Sequence, residues 1–280
     1  MIYCHLMTSP TEMMRNRQRV LVMGVLNVTP DSFYDGGRLD TVDAAIEAGL
    51  SMIEQGADIL DVGGESSRPG AEPISPQEEL ARVLPVVEGI RTQASIPISV
   101  DTTKASVAEA CLQAGANIIN DISALRSDVC MAQIVSESGA KVVLMHMQGA
   151  PQTMQQKPHY QDVVTEVRSF LVERANYAQA AGIAPDNIIL DPGIGFGKSL
   201  AHNLALLRQL PKLASCGYPV LVGISRKSFL GRLLDLPAEE RLEGTIAANT
   251  AAILGGASII RVHDVKEGRR TADIAVRLRP

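Results

Sequence analysis

The sequence has no excess of basic residues. It contains 26 Lys and Arg against 31 Asp and Glu, which gives a formal net charge of −5 at pH 7. A nucleic-acid-binding protein usually carries a basic surface, so this composition argues against nucleic acid as a partner. The densest basic stretch, at positions 15–19, borders a polar N-terminal segment. We interpret residues 1–18 as a loose, solvated extension.

Several common site patterns are also missing. The four cysteines form no C-x-x-C pair, and no two histidines have the spacing H-E-x-x-H. Both absences argue against a zinc site, and free thiols are typical of a reducing cytoplasm. No G-x-S-x-G stretch is present to supply the serine of a hydrolase. No segment approaches the about 20 apolar residues of a membrane span. We therefore expect a cytoplasmic protein that does not cross a membrane.

What the sequence does contain is an alternation of short apolar segments with longer amphipathic ones. The predicted strands are 19–26, 59–62, 98–100, 118–120, 141–145, 187–190, 219–224 and 258–262. The predicted helices are 41–55, 76–91, 104–114, 129–138, 160–181, 200–210, 238–254 and 265–278. The strands are apolar almost throughout, which indicates a parallel sheet that is buried on both faces.

One short phrase recurs four times between a predicted helix and the next strand: QGAD at 55–58, AGAN at 114–117, SGAK at 138–141 and GGAS at 255–258. Its glycine stands where the end of a helix prefers a left-handed residue. The repetition predicts a repeated β/α unit and, over residues 19–280, a single (β/α)₈ TIM barrel. A doubly wound open sheet is the alternative, but the glycine-rich dinucleotide turn that it needs is absent after the first strand.

The predicted strands end in polar residues. In such a barrel the carboxyl ends of the strands form the rim that carries the active site. The donors suited to phosphate are Arg68, Arg261 and His263. The groups suited to a flat, nitrogen-rich ring and its carbonyl are Asp101, Asn120, Asp191 and Lys227. The sequence therefore predicts a ligand with a polar ring at one end and phosphates at the other.

Two long segments rich in Gly, Pro and Ser, 28–39 and 63–75, follow the first two strands. We interpret them as lids that close over a substrate. A third glycine-rich segment, 191–199, ends in Gly-Lys-Ser, but Pro192 stands where a Walker A motif needs glycine. We interpret it as a turn that brings backbone close to a flat ligand. His146 lies at the rim without an assigned role.

Seven segments, taken in order, resemble the dihydropteroate synthase family of pterin-binding barrels. They are MGVLNVTPDSF at 23–33, GGESSRPG at 63–70, SVDT at 99–102, INDI at 119–122, DPGIGFGK at 191–198, SRKS at 225–228 and RVHDV at 261–265. The resemblance implies a transferase that condenses 6-hydroxymethyl-7,8-dihydropterin pyrophosphate with p-aminobenzoate, and that sulfonamides inhibit. A related pterin-binding methyltransferase domain and a pterin-binding paralogue without activity are the alternatives.

The resemblance also implies residue roles. Asn27 would be a ligand of the Mg²⁺ that accompanies the pyrophosphate. The phosphate-binding residues would be Arg68, Arg261 and His263. The pterin-binding residues would be Asp101, Asn120, Asp191, Phe196 and Lys227, of which Asp101 or Asp191 would stabilise a pterin cation. Ser67 and Pro69 would shape the p-aminobenzoate pocket. The family more often has Thr at position 67 and Phe at position 194, where this chain has Ser and Ile. A homodimer is expected, with the small apolar residues of 243–254 as one candidate interface and packing on the barrel as the other explanation for them.

Overall fold

The computed structural model describes residues 19–29, 38–66 and 70–279, with side chains from residue 42 onward in the second range. The N-terminal extension, residues 30–37 of the first loop, and Ser67, Arg68 and Pro69 lie outside the described residues. Within them the strands are β1 (Leu21–Asn27), β2 (Ile59–Gly63), β3 (Ile98–Asp101), β4 (Ile118–Asp121), β5 (Lys141–Met145), β6 (Ile188–Asp191), β7 (Leu221–Gly223) and β8 (Ile259–Val262).

All strand pairs are parallel, in the order β6-β5-β4-β3-β2-β1-β8-β7. A parallel bridge between Leu190 and Val220 joins the last and first strands of this order. The sheet therefore closes on itself, and the predicted TIM barrel is confirmed.

The helices lie between the strands and cover the outer surface of the barrel. They are α1 (Arg38–Glu54), α2 (Pro76–Gln93), α3 (Ala105–Gln113), α4 (Met131–Ser138), α5 (Val163–Ala180), α6 (Leu200–Arg208), α7 (Leu210–Ala214), α8 (Ser228–Leu234), α9 (Leu242–Leu254) and α10 (Val265–Arg277). Among the described residues, no helix is both long and apolar enough to cross a lipid bilayer.

The repeated glycine phrase is a helix-to-strand turn, as predicted. Gly56, Gly115, Gly139 and Gly256 all have positive φ angles, of 101°, 102°, 68° and 103°. A residue with a Cβ adopts such angles only with strain, so glycine ends each of these helices where the chain reverses toward the next strand.

The barrel interior has two chemically different layers. Toward the amino ends of the strands lies an apolar cluster made of Leu21, Met23, Ile59, Ile118, Val143, Ile189, Leu221 and Ile259. Two residues further along the same strands, and on the same face, stand Asp61, Asn120, Asp191 and Arg261. Four of the eight strands, β2, β4, β6 and β8, thus carry an apolar residue and then a polar group, and these four place the polar layer at the carboxyl-end rim.

The predicted helix bounds differ from the observed ones by one to four residues, and three of the differences show their cause or form clearly. The 200–210 helix ends at Arg208 and a new helix begins at Leu210, because Pro211 has no N–H for the bond that would continue it. The 160–181 helix begins at Val163, since the Asp162 side chain accepts the N–H groups of Val164 and Thr165. The 238–254 helix is divided into a 3₁₀ turn and α9. Helix α8 was not predicted, because seven residues are too few to show a helical period.

Candidate active site

Arg261, on the interior face of β8, lies between two carboxylates from other strands. Its Nε donates to Asp61 Oδ2 at 2.6 Å and its Nη2 to Asp101 Oδ2 at 2.9 Å. Asn120 Nδ2 donates to the same Asp61 oxygen at 3.1 Å. Side chains from β2, β3, β4 and β8 therefore form one charged network at the rim. The predicted residues Asp101, Asn120 and Arg261 are brought together in it.

Asp61 is the residue of this network that the sequence analysis missed. Its only signal in the sequence is a single carboxylate inside an apolar strand. Asp61 is fully buried, and among the described residues its Oδ1 has no hydrogen-bond partner. A buried acceptor without a partner is destabilising, so a donor supplied by a ligand or a water molecule at Asp61 Oδ1 would be favourable.

Asp191 ends β6 and lies under the glycine-rich turn. The backbone N–H of Gly193 donates to Asp191 Oδ1 at 2.7 Å. Gly193 has a φ of 63°, and a Cβ on it would lie 2.0 Å from the carbonyl oxygen of His146. Only glycine therefore allows the turn to pack this closely against the end of β5. The predicted approach of this backbone to a flat ligand stays a prediction.

Lys227, in the loop after β7, reaches the same turn in the neighbouring loop. Its Nζ donates to the carbonyl oxygen of Ile194 and lies 4.4 Å from the centroid of the Phe196 ring. A cation at this distance over an aromatic face is attracted to it. Lys227 and Phe196, which were both predicted to bind substrate, therefore lie side by side.

The pKa values in this layer are displaced in both directions. Burial raises the pKa of Asp101 to about 7, although Arg261 opposes the shift. Burial also raises the pKa of Asp191, against the effect of Lys227. Burial lowers the pKa of Lys227 to about 8, against the effect of Asp191. Arg261 also contributes to the pKa values of Asp191 and Lys227. These groups therefore lie at the same opening of the barrel, and displaced pKa values in a cleft are typical of a functional site.

His263 lies at the exposed edge of the rim, two residues beyond Arg261. Its backbone N–H donates to Ser225 Oγ at 3.2 Å, and its Nδ1 lies 3.0 Å from the same oxygen. The next residues are joined by a two-bond ion pair, in which Arg226 donates to both carboxylate oxygens of Asp264 at 2.8 and 2.7 Å. These contacts fix the loops after β7 and β8 relative to each other.

Asn27, the predicted Mg²⁺ ligand, ends β1 and is half-buried. A Cβ on Gly63 would lie 3.4 Å from the Asp101 Cβ and 4.0 Å from Asn27 Oδ1, so glycine keeps the space beside this oxygen open. No cluster of three His, Cys, Asp or Glu able to hold a metal occurs in the described part of the chain. A Mg²⁺ ion held by Asn27 would therefore have to complete its shell with substrate phosphates and water, and the predicted metal role of Asn27 stays a prediction.

A hydrogen bond and ion pairs hold the two ends of the second loop at this rim. The backbone N–H of Ile74 donates to Glu65 Oε1 at 3.2 Å, which brings together two residues nine positions apart. Lys104 donates to Glu65 Oε2 at 2.5 Å and also to buried Glu79. The predicted roles of Ser67, Arg68 and Pro69 concern residues between these ends that are not described, so they stay predictions.

Comparisons with known proteins now identify the family. Residues 23–263 match the model of a family described as pterin binding enzyme. Dihydropteroate synthase of Synechocystis sp. is 47% identical over 259 residues, which cover 92% of this chain and 90% of that protein. The Escherichia coli K12 enzyme is 50% identical over 246 residues, which cover 88% and 87%. The chain belongs to the dihydropteroate synthase family.

Solved dihydropteroate synthases have the same barrel. The Yersinia pestis enzyme in a sulfonamide drug complex superposes with a TM-score of 0.89 at 46% identity, covering 94% of this chain and 95% of that one. The Xanthomonas albilineans enzyme with 4-aminobenzoic acid gives 0.88 at 47% identity, with 94% and 95% covered. A Xanthomonas albilineans complex with 7,8-dihydropteroate gives 0.84 at 44% identity, with 94% and 96% covered. Membership of this family makes the chain an enzyme.

Proposed function

We propose that this chain condenses 6-hydroxymethyl-7,8-dihydropterin pyrophosphate with p-aminobenzoate, releasing 7,8-dihydropteroate and pyrophosphate. The observation that carries the proposal is the polar layer at the rim, in which Arg261 meets Asp61 and Asp101. This layer places cationic donors, which suit a pyrophosphate, beside buried hydrogen-bond acceptors, which suit the polar ring. Relatives at 44–47% identity hold 4-aminobenzoic acid and 7,8-dihydropteroate, one substrate and the product of this reaction.

In this proposal the pterin ring lies between Asp101 and Asp191. The aminopyrimidine edge of a pterin presents a ring N–H and an amino group side by side, and a carboxylate can accept from both. Asn120 can both donate and accept at the same edge. Lys227 suits the ring carbonyl, and the face of Phe196 beside it suits the flat ring. Buried acceptors would make this binding selective, because a ring without matching donors leaves them unpaired.

The pyrophosphate would lie toward β8. Arg261 holds Asp61 and Asp101 through Nε and Nη2, which leaves Nη1 outside these two bonds. His263 at the exposed edge and Arg68 from the second loop would complete the cationic side. Asn27 would provide the protein ligand for a Mg²⁺ ion shared with the phosphates. That ion would neutralise charge on the departing pyrophosphate.

The reaction that these residues support needs no protein nucleophile. The C–O bond to pyrophosphate breaks, and the leaving group keeps its electron pair, stabilised by Arg261 and His263. The electron-rich dihydropterin carries the resulting positive charge, and the Asp101 or Asp191 carboxylate stabilises it. The amine of p-aminobenzoate then forms the new C–N bond and loses a proton. Loops closed over the site would keep water from capturing the cation.

We further propose a homodimer that forms through the outer face of α9 and α10, which pack against each other. Ala247, Ala251 and Leu254 are exposed at successive turns of α9. Ile274 and Leu278, in and just after α10, are 60% and 62% exposed. Adjacent exposed apolar groups of this kind favour association. We place the reaction in the cytoplasm, where thiols stay reduced; Cys111, Cys130 and Cys216 are all free.

The proposed function is tested by incubating the protein with the pterin pyrophosphate, Mg²⁺ and p-aminobenzoate, and measuring released pyrophosphate. We expect release that requires the amine and Mg²⁺, that yields dihydropteroate in equal amount, and that a sulfonamide inhibits competitively with p-aminobenzoate. Asp191→Ala serves as the inactive control. Pyrophosphate release at the same rate without the amine would show a hydrolase and contradict the proposal.

A further inference from the structure

Lys198 is a buried amine that the proposed chemistry does not use, and burial lowers its pKa to about 7. It is the lysine of the Gly-Lys-Ser sequence that fails to form a P-loop, and it is only 2% exposed. Burying an ammonium group is strongly unfavourable unless hydrogen bonds compensate for lost water. Its surroundings must therefore provide acceptors, and these show what the residue holds in place.

The acceptors come from two neighbouring loops at the rim. Lys198 Nζ donates to the carbonyl oxygen of Phe196 at 2.9 Å and to the carbonyl oxygen of His146 at 3.2 Å. It also lies 3.0 Å from His146 Nδ1. Burial lowers the pKa of His146 to about 3, so its ring is neutral and Nδ1 can accept from the ammonium. One side chain thus joins the end of β5 to the turn after β6.

Both ends of this connection lead directly to pterin-binding residues. The backbone N–H of His146 donates to the carbonyl oxygen of Asp191 at 3.0 Å. The backbone N–H of Phe196 donates to the carbonyl oxygen of Gly193, whose own N–H donates to the Asp191 carboxylate. A displaced His146 or Phe196 carbonyl would therefore move the Asp191 carboxylate and the Phe196 ring together.

We propose that Lys198 is a positioning residue for the pterin site, acting through the carbonyl groups of His146 and Phe196. This inference rests on the proposed function. Lys198 itself does not touch the ligand: it holds the loop after β5 against the glycine-rich turn. This positioning role accounts both for the lysine of the 191–199 segment and for His146.

The test compares two buried lysines. Lys198→Met removes the donors with little change in side-chain length. Lys141→Met is the matched control, since Lys141 is also buried and donates to the Asp186 carbonyl oxygen at 2.9 Å and to Asn187 Oδ1 at 3.1 Å. Lys141 begins β5 at the opposite end of the barrel, so its loss affects stability without affecting the pterin site.

Binding of 6-hydroxymethyl-7,8-dihydropterin is measured by calorimetry on each full-length variant, together with the melting temperature. In Lys198→Met we expect the Kd to rise about tenfold or more, as for lost bonds to a charged donor. In Lys141→Met we expect a lower melting temperature and an unchanged Kd. An unchanged Kd in Lys198→Met, or an equal rise in both variants, would overturn the proposal.

The Kd of Lys198→Gln is measured as well, in case Lys198→Met does not fold. Its amide keeps two N–H donors but no charge, so we expect a Kd between those of the wild type and Lys198→Met; wild-type affinity would overturn the proposal. Wild-type amine-dependent pyrophosphate release is measured in parallel. Its absence would refute the proposed function, whereas its presence with unchanged pterin binding in the Lys198 variants would refute only the positioning role.

Discussion

The pH dependence of pterin binding gives the sharpest test of the rim electrostatics. As pH rises, Asp101 becomes ionised around its raised pKa of about 7 and gains acceptor capacity. At higher pH Lys227 loses its proton around its lowered pKa of about 8 and can no longer present a cation to the ring carbonyl. Binding that requires ionised Asp101 and protonated Lys227 therefore has an optimum between these values.

The magnitude follows from the two pKa values. The fraction of protein with both groups in the required state is about 0.6 at pH 7.5 and about 0.1 at pH 6 or pH 9. Apparent affinity is proportional to this fraction, so the Kd should be about sixfold higher at either extreme than at the optimum. The charged groups around Asp101 that enter this balance are Arg261, Asp61, Glu79 and Asp121.

The assay is calorimetric titration with 6-hydroxymethyl-7,8-dihydropterin. This ligand lacks the pyrophosphate, so the ionisation of the phosphates does not enter the measurement. Asp101→Asn should weaken the acid limb, to which Asp191 with its raised pKa also contributes, and leave the alkaline one. Lys227→Gln should do the reverse. The reasoning is refuted by a Kd in the wild type that stays flat from pH 6 to pH 9, or by an acid limb in Asp101→Asn that is as steep as in the wild type.

Three further changes test the anion side, the pterin side and the oligomer. Arg261→Ala should weaken inorganic pyrophosphate binding by about 1.5–3 kcal/mol, the usual loss for a charged hydrogen bond; unchanged affinity by calorimetry would exclude Arg261 from the anion site. Asp191→Ala should abolish binding of the dihydropterin while the far-UV spectrum stays native, and measurable wild-type affinity would contradict its role. Ile274→Glu combined with Leu278→Glu should convert a dimer into a monomer in light scattering after gel filtration; a dimer that persists would place the interface elsewhere.

Much of the fold could be predicted from local patterns. The eight strands were recognised because a strand buried on both faces is apolar throughout, and the turn glycines because four of them share one phrase. Helix bounds were less accurate where a single side chain decided them, as Pro211 does after Arg208 and Asp162 does before Val163. Helix α8 was missed because a short helix shows no period.

The rim residues could be predicted because parallel strands in a barrel end on the same side. Asn27, Asp101, Asn120, Asp191 and Arg261 follow from that rule alone. Asp61 did not, because it stands two residues before the end of its strand, and only the two-layer interior shows that this position already belongs to the polar layer. The likeness to dihydropteroate synthases named the chemistry but did not reveal this carboxylate.

By itself the sequence determined which segments become strands, where the chain turns, and which polar groups reach the rim, since each depends on neighbours a few positions away. Only the tertiary structure decided which groups meet. Arg261 binds Asp61 and Asp101 across separations of 200 and 160 residues. Lys198 meets His146 across 52. Contacts at such separations depend on the closure of the barrel and on the packing of its loops, and no local period encodes either.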